Sequence, residues 1–192
     1  MMPDMSVVPF DARPSDIDGL WIIQTRQISD ERGTVREFYR RSAFEEAGLP
    51  SLGPWVQVNL TRSRQGALRG LHGEDMYKLV GIAAGEAFGA YVDARADSPT
   101  AGNLVTVALL AGTQVLVPRG VCNGFQSVSE GGTEYLYCFD QEWVPGMAGS
   151  AVNPLDPALG IPWPLPVDPA DRAQVSEKDN GLPTLAEALA KG

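Results

Sequence analysis

The chain has 192 residues, 44% of them hydrophobic and 20% charged, which is enough apolar material for one sizeable core. Its net charge of -9 argues against nucleic acid or an anionic membrane as the main partner, because phosphate binding at that scale needs a basic stripe and none is visible. The opening MMPDMSVVPF lacks a basic segment followed by an apolar one, and the longest apolar run, LVTVALLAG, is too short to span a bilayer, so a cytoplasmic protein is expected.

Along the chain, the first clear signal is SAFEEAG, where Ser42 as N-cap, Glu45 three residues on and Gly48 as a stop predict a short helix. From Lys78 to Asp140, apolar stretches alternate with Gly, Pro, Asp or Ser breaks, as in KLVGIAAGEAFGAYVDAR, LVTVALLAGTQVLVP and TEYLYCFDQEW. These read as strands joined by turns. Two cysteines, Cys122 and Cys138, lie in this stretch; their spacing fits neither a secreted disulfide framework nor a zinc site, and buried free thiols are expected. The Pro-rich NPLDPALGIPWPLPVDP reads as a long connection crossing the body, and TLAEALAKG repeats the capping device with Thr184 and Glu187. Many strands without intervening helices predict a mainly β sandwich or barrel with short flanking helices, whose interior can hold a ligand. No internal repeat, low-complexity tract or P-loop interrupts residues 1–192, so one domain is expected.

His72 is the only histidine, set in LRGLHGEDMYKLV between Arg69 and Lys78. One imidazole cannot build a site of two histidines and a carboxylate, so no metal is expected. Ser-His-Asp hydrolysis is arithmetically open, but there is no G-x-S-x-G elbow and no Ser or Cys is marked as a nucleophile. What a lone histidine does unaided is move a proton near neutral pH.

The residues carry a resemblance. DERGTVREF (Asp30 to Phe38), VQVN (Val56 to Asn59), LRGLH (Leu68 to His72), KLV (Lys78 to Val80), VDARADSPTAG (Val92 to Gly102), VPRGVCNGF (Val117 to Phe125), EYLY (Glu134 to Tyr137), DPALGIPWP (Asp156 to Pro164) and SEKD (Ser176 to Asp179) follow the order of motifs in dTDP-4-dehydrorhamnose 3,5-epimerases. The likeness covers nearly the whole chain. It implies a cupin-like jelly-roll fold, a homodimer that shares strands near the N-terminus, a C-terminal segment (165–192) packed on the barrel, and a sugar-nucleotide substrate without any cofactor.

A sugar nucleotide with a ketone at C4 has acidified protons at C3 and C5, so inversion needs a base on one face, an acid on the other and a stabilised enolate between them. By the resemblance His72 is the base, Asp179 fixes its tautomer, Lys78 sits near the developing oxyanion and Tyr137 is the acid. Alternation in EYLYCF puts Tyr135, Tyr137 and Phe139 on one face of a strand. Arg32 and Arg69 match positions that contact the ligand, as suits a diphosphate. Glu37, Gln57, Asn59 and Lys178 match further binding positions, and Trp143 stands where a tyrosine commonly stacks on the thymine ring.

The chain also departs from the pattern. Asn123 occupies the place of a second histidine, Gly89 replaces an acidic residue, Ala148 replaces a glutamate, and the segment from His72 to Lys78 is short. These changes bear on which carbons are inverted more than on whether the chain is a catalyst. The leading expectation is epimerisation at C3, C5 or both of a dTDP-4-keto-6-deoxyhexose, in rhamnose or other deoxysugar biosynthesis. The alternatives are a single-centre epimerase or ketoisomerase making an unusual deoxysugar, and a barrel that binds a sugar nucleotide without turning it over.

Overall fold

A computed structural model describes residues 5–50 and 54–191. Its strands are β1 (Ser6–Val8), β2 (Asp11–Pro14), β3 (Trp21–Gln24), β4 (Gln27–Asp30), β5 (Gly33–Arg36), β6 (Gln57–Ser63), β7 (Leu68–Glu74), β8 (Lys78–Ala84), β9 (Ala87–Asp93), β10 (Leu104–Leu109), β11 (Thr113–Val117), β12 (Val121–Ser127), β13 (Thr133–Phe139) and β14 (Gly149–Ala151). Short helices α1 (Arg41–Glu46), α2 (Glu177–Asn180) and α3 (Leu185–Leu189) flank them. No helix among the described residues is long and apolar enough to cross a membrane.

Two antiparallel sheets face each other, one ordered β10-β9-β12-β7-β14 and the other β2-β3-β11-β8-β13-β6. Between them lies a core of Tyr91, Phe125, Val80, Val115 and Tyr135, in which the Phe125 and Tyr135 rings stack at 4.0 Å across the interface. The central strands read as continuous apolar runs because both of their faces are covered. The outer face of the six-stranded sheet packs Leu79, Leu116 and Cys138 under Phe44 of α1. On the outer face of the five-stranded sheet, Leu71, Val92 and Cys122 lie under Val152, Trp163 and Ala188. The Pro-rich connection is tied down at Gln126, whose amide donates to the Leu165 carbonyl at 2.9 Å and accepts from the Leu165 N–H at 3.0 Å. Both cysteines are free and buried.

The third sheet, β1-β4-β5, is small and stands apart from this core, with Val7, Val8 and Val35 exposed. The edge strand β6 is two-faced: Val58 and Leu60 point outward and are more than half exposed, while Gln57, Asn59 and Thr61 alternate inward.

Ser42 does not cap α1. The helix begins at Arg41 with Arg40 as N-cap and no side-chain cap bond, because burial of Phe44 against Phe10 and Tyr39 sets its start rather than local capping. Gly48, at φ +73°, does end the segment. In α3 the full capping box of Thr184 and Glu187 forms as the sequence predicts.

At the end of β9, the VDARADSPT motif folds into a tight corner around Asp93, which is fully buried. Arg95 donates to its carboxylate through Nε and Nη2, both at 2.8 Å, and the Ser98 and Thr100 hydroxyls donate at 2.6 Å each. Burial alone would raise this carboxyl, but these donors outweigh it and hold it at about 2.

Candidate active site

An open cavity of about 270 Å³ lies among β6, β7, β8, β12 and β13. Strand β7 supplies the reason. Asn123 sits opposite His72 and Phe125 opposite Arg69, so three steps on β7 match two on β12. That irregularity lets Arg69 and His72, which a regular strand would send to opposite faces, line the same cavity. Gly70 makes it possible: it sits at φ +119°, and a Cβ there would lie 2.7 Å from the Gly124 Cα. The R-G-L-H spacing is therefore a backbone device that aims two side chains.

His72 is about one-third exposed, and its Nε2 lies 2.8 Å from Asp179 Oδ1. The carboxylate only accepts, so Nε2 carries the hydrogen and the neutral ring keeps its lone pair on Nδ1. Asp179 arrives from 107 residues away on α2, a single helical turn whose Ser176 hydroxyl caps the Asp179 N–H at 3.0 Å. The Gly70 N–H donates to its second oxygen at 3.3 Å. Burial works to raise the Asp179 carboxyl, and the His72 hydrogen bond and charge outweigh it, leaving it below the usual carboxylate range.

Lys78 is buried, and its Nζ donates to the His72 carbonyl at 2.9 Å, to Asn123 Oδ1 at 2.7 Å and to the Glu74 carboxylate. Since an ammonium only donates, Asn123 must turn its oxygen towards the lysine, leaving its amide nitrogen for other partners. Tyr137 lines the same cavity in a run of tilted rings from Tyr135 through Phe139. Burial pushes its phenol up to about 12, against the nearby Arg69 charge, so it stays protonated at neutral pH.

The expected binding residues divide into two groups. Gln57, Asn59, Arg69, Asn123 and Trp143 line the cavity, with the Gln57 side chain accepting from the Trp143 N–H at 2.8 Å. Lys178 lines an adjoining cavity of about 240 Å³ that shares His72, Glu74 and Trp143 with the first. Arg32 and Glu37 line neither. Arg32 projects from the β4–β5 turn, its side chain 90% exposed and paired with Asp30 at 2.6 Å. Glu37 is held by Arg26 at 3.2 Å and Arg40 at 2.5 Å.

Cavity residues that the sequence did not mark as site residues include Thr61, Phe139 and Glu74. The signal for each was strand alternation, since Thr61 follows Asn59 by two, Phe139 follows Tyr137 by two, and Glu74 follows His72 by two. At Gly89 the space is taken: a Cβ would meet the Tyr91 hydroxyl at 2.9 Å and Leu109 Cδ1 at 3.0 Å.

A profile of dTDP-4-dehydrorhamnose 3,5-epimerase matches residues 14–187. The chain belongs to the dTDP-4-dehydrorhamnose 3,5-epimerase family. The dTDP-4-dehydrorhamnose 3,5-epimerase of Salmonella typhimurium is 37% identical over 179 residues, 90% of this chain and 94% of that one. Two solved structures are similar over 94% of this chain. A 3,5-epimerase from Legionella pneumophila in complex with dTDP-4-keto-L-rhamnose is 34% identical with a TM-score of 0.80, over 97% of its length. A 3′-monoepimerase from Streptomyces bikiniensis in complex with dTDP-quinovose is 33% identical with a TM-score of 0.82, over 90% of its length. The family is one of isomerases, and its cupin-like sandwich is the arrangement of the two facing sheets here.

Proposed function

We propose that the protein is a cofactor-independent epimerase of a 4-keto-6-deoxy sugar nucleotide, dTDP-linked, acting in the cytoplasm in rhamnose or other deoxysugar biosynthesis. The observation that carries this reading is the His72–Asp179 pair facing one cavity with a protonated Tyr137 phenol and the Lys78 ammonium. The neutral His72 ring takes the proton from a carbon next to the ketone, and the bond pair moves into the enolate, whose charge settles on the C4 oxygen. Lys78 supplies the positive charge that offsets it. Tyr137 returns a proton to the opposite face, inverting the carbon, and solvent resets both groups. Asp179 holds the His72 tautomer and favours its charged form during transfer.

Arg69, Gln57, Asn59 and Asn123 hold the sugar and diphosphate, and Trp143 and Lys178 extend the grip into the adjoining cavity. Arg32 and Glu37 lie outside both cavities of their own chain, which supports a homodimer in which the exposed hairpin of one copy reaches the site of the other. The exposed Val58 and Leu60 on β6 and Val7, Val8 and Val35 on the small sheet are the apolar surface such a pairing would cover. Residues 1–192 then form a single cupin-like domain with 165–192 packed on it. Inversion at one carbon alone is the second reading, favoured by Asn123, which gives the cavity a neutral amide in place of an imidazole.

Incubation with dTDP-4-keto-6-deoxyglucose in deuterated water, followed by NMR at each ring carbon, tests this. Deuterium is expected at C3, at C5 or at both. No incorporation at any carbon would leave the non-catalytic binding barrel as the better reading.

A further inference from the structure

The mechanism above uses Lys78 but not the group that holds it. A buried ammonium on a flexible four-carbon stem needs a counter-charge and a fixed seat. Among the described residues, the one carboxylate bridged to Lys78 is Glu74.

The backbone places Glu74 for this task. His72 and Glu74 are two apart on β7 and so share its cavity-facing side. The connection to β8 is only Asp75, Met76 and Tyr77, with the Met76 N–H bonded to the Glu74 carbonyl at 2.8 Å and the Asp75 N–H to the Ala148 carbonyl at 2.9 Å. This tight return brings Lys78 back over the strand it left. Burial would raise the Glu74 carboxyl, but the Lys78 charge and hydrogen bond hold it below its ordinary value, so it is ionised at neutral pH. The three donors of the ammonium are then all committed: one to backbone, one to a neutral amide and one to Glu74. Of these, the Glu74 bond alone comes from a side chain that is partly open to the cavity, a quarter exposed where the two cavities meet.

We infer that Glu74 is a positioning residue, which seats the Lys78 ammonium beside His72 through the hydrogen bond that its side-chain oxygen accepts. The inference rests on the epimerase reading for its kinetic consequence, but the seating of Lys78 can be measured without turnover.

The test uses Glu74→Ala, Glu74→Gln, Lys78→Met and the double variant Glu74→Ala/Lys78→Met. The deuterium wash-in rate should fall about thirty-fold in Glu74→Ala with KM within about threefold, and Glu74→Gln, whose amide oxygen still accepts, should recover to within about fivefold. In the double variant the loss should equal that of Lys78→Met alone, because a residue acting through Lys78 has nothing left to position. Reductive methylation with formaldehyde, mapped by mass spectrometry, should show Lys78 modified at least about fivefold faster in Glu74→Ala than in the natural protein or Glu74→Gln. Losses that multiply in the double variant, or a KM that rises with kcat unchanged, would overturn the inference and make Glu74 a direct substrate contact. Unchanged methylation would overturn it whether or not the sugar is turned over, whereas absent wash-in by the natural protein with the methylation contrast intact would count against the epimerase reading alone. If Glu74→Ala does not fold, Glu74→Asp, one methylene too short to reach, carries the same expectations.

Discussion

Two buried carboxylates, Asp93 and Asp179, sit at opposite extremes of use. Asp93 is bound by Arg95, Ser98 and Thr100, all within seven residues of it in sequence, and each of these three side chains donates to the carboxylate. Asp179 has one imidazole and one backbone N–H, both from a strand more than a hundred residues away. The first saturates its charge locally and fixes a corner. The second is lightly satisfied and tied to a group that can itself gain a proton. Satisfaction by fixed, permanently charged or neutral donors marks a structural acid; partnership with a titrating ring at a cavity marks a working one.

The largest expected effect separates the two outright. His72→Ala should lower deuterium wash-in at every sugar carbon by at least about a thousandfold, since no second imidazole exists to replace it. Wash-in surviving at a tenth of the natural rate would remove His72 from the role of base. Tyr137→Phe comes next: net inversion, read by NMR of the product, should fall about a hundredfold while wash-in falls about tenfold or less, because the base can return a proton to the face it came from. Equal losses in both would make Tyr137 a packing or binding residue.

On the structural side, Asp93→Asn should cost about 2 to 3 kcal/mol in urea unfolding and leave kcat within about twofold. The sign of its pH dependence follows from the carboxyl being held at about 2 in the fold, against an ordinary value near 3.9 when unfolded. Its stabilisation is fully present above the ordinary value and is lost as pH falls towards 2, so the acid-side loss of stability should be shallower in Asp93→Asn. A variant with the same acid slope as the natural protein would place that loss elsewhere. The smallest effect belongs to Asn123→His. The Lys78 ammonium beside that position opposes protonation of an imidazole, so ligand binding by calorimetry should tighten only about two- to threefold, at low salt and below about pH 6. A larger gain that persists in high salt would mean that the imidazole touches the ligand directly.

Much of this was legible in the sequence, and the limits have physical causes. Strands from Lys78 onward announced themselves because their apolar runs are broken by turn residues, and α3 because its capping box is local. Asp179 could be named but not explained, since α2 is one turn long and its partner is far off in sequence. Ser42 misled because Phe44 burial decides where α1 starts. Arg32 and Glu37 are visible as motif residues, yet the fold of the chain holds them away from the cavity in local ion pairs, and a motif does not encode that distance. Glu74 was overlooked because an acid beside a histidine reads as surface until the short return to Lys78 is seen in three dimensions.

Gly89 and Tyr91 are locked together in a way that constrains how this site can change. With the phenol ring already in the space, any side chain at 89 meets it at once, so an acid there must displace the ring. Tyr91 would have to shrink first, and that step alone would leave a hollow in the core between the sheets. A change to an acid at 89 by way of a smaller residue at 91 thus crosses a destabilised intermediate. Gly89→Asp and Tyr91→Ala should each be worse than the two combined, a sign epistasis that couples the two positions.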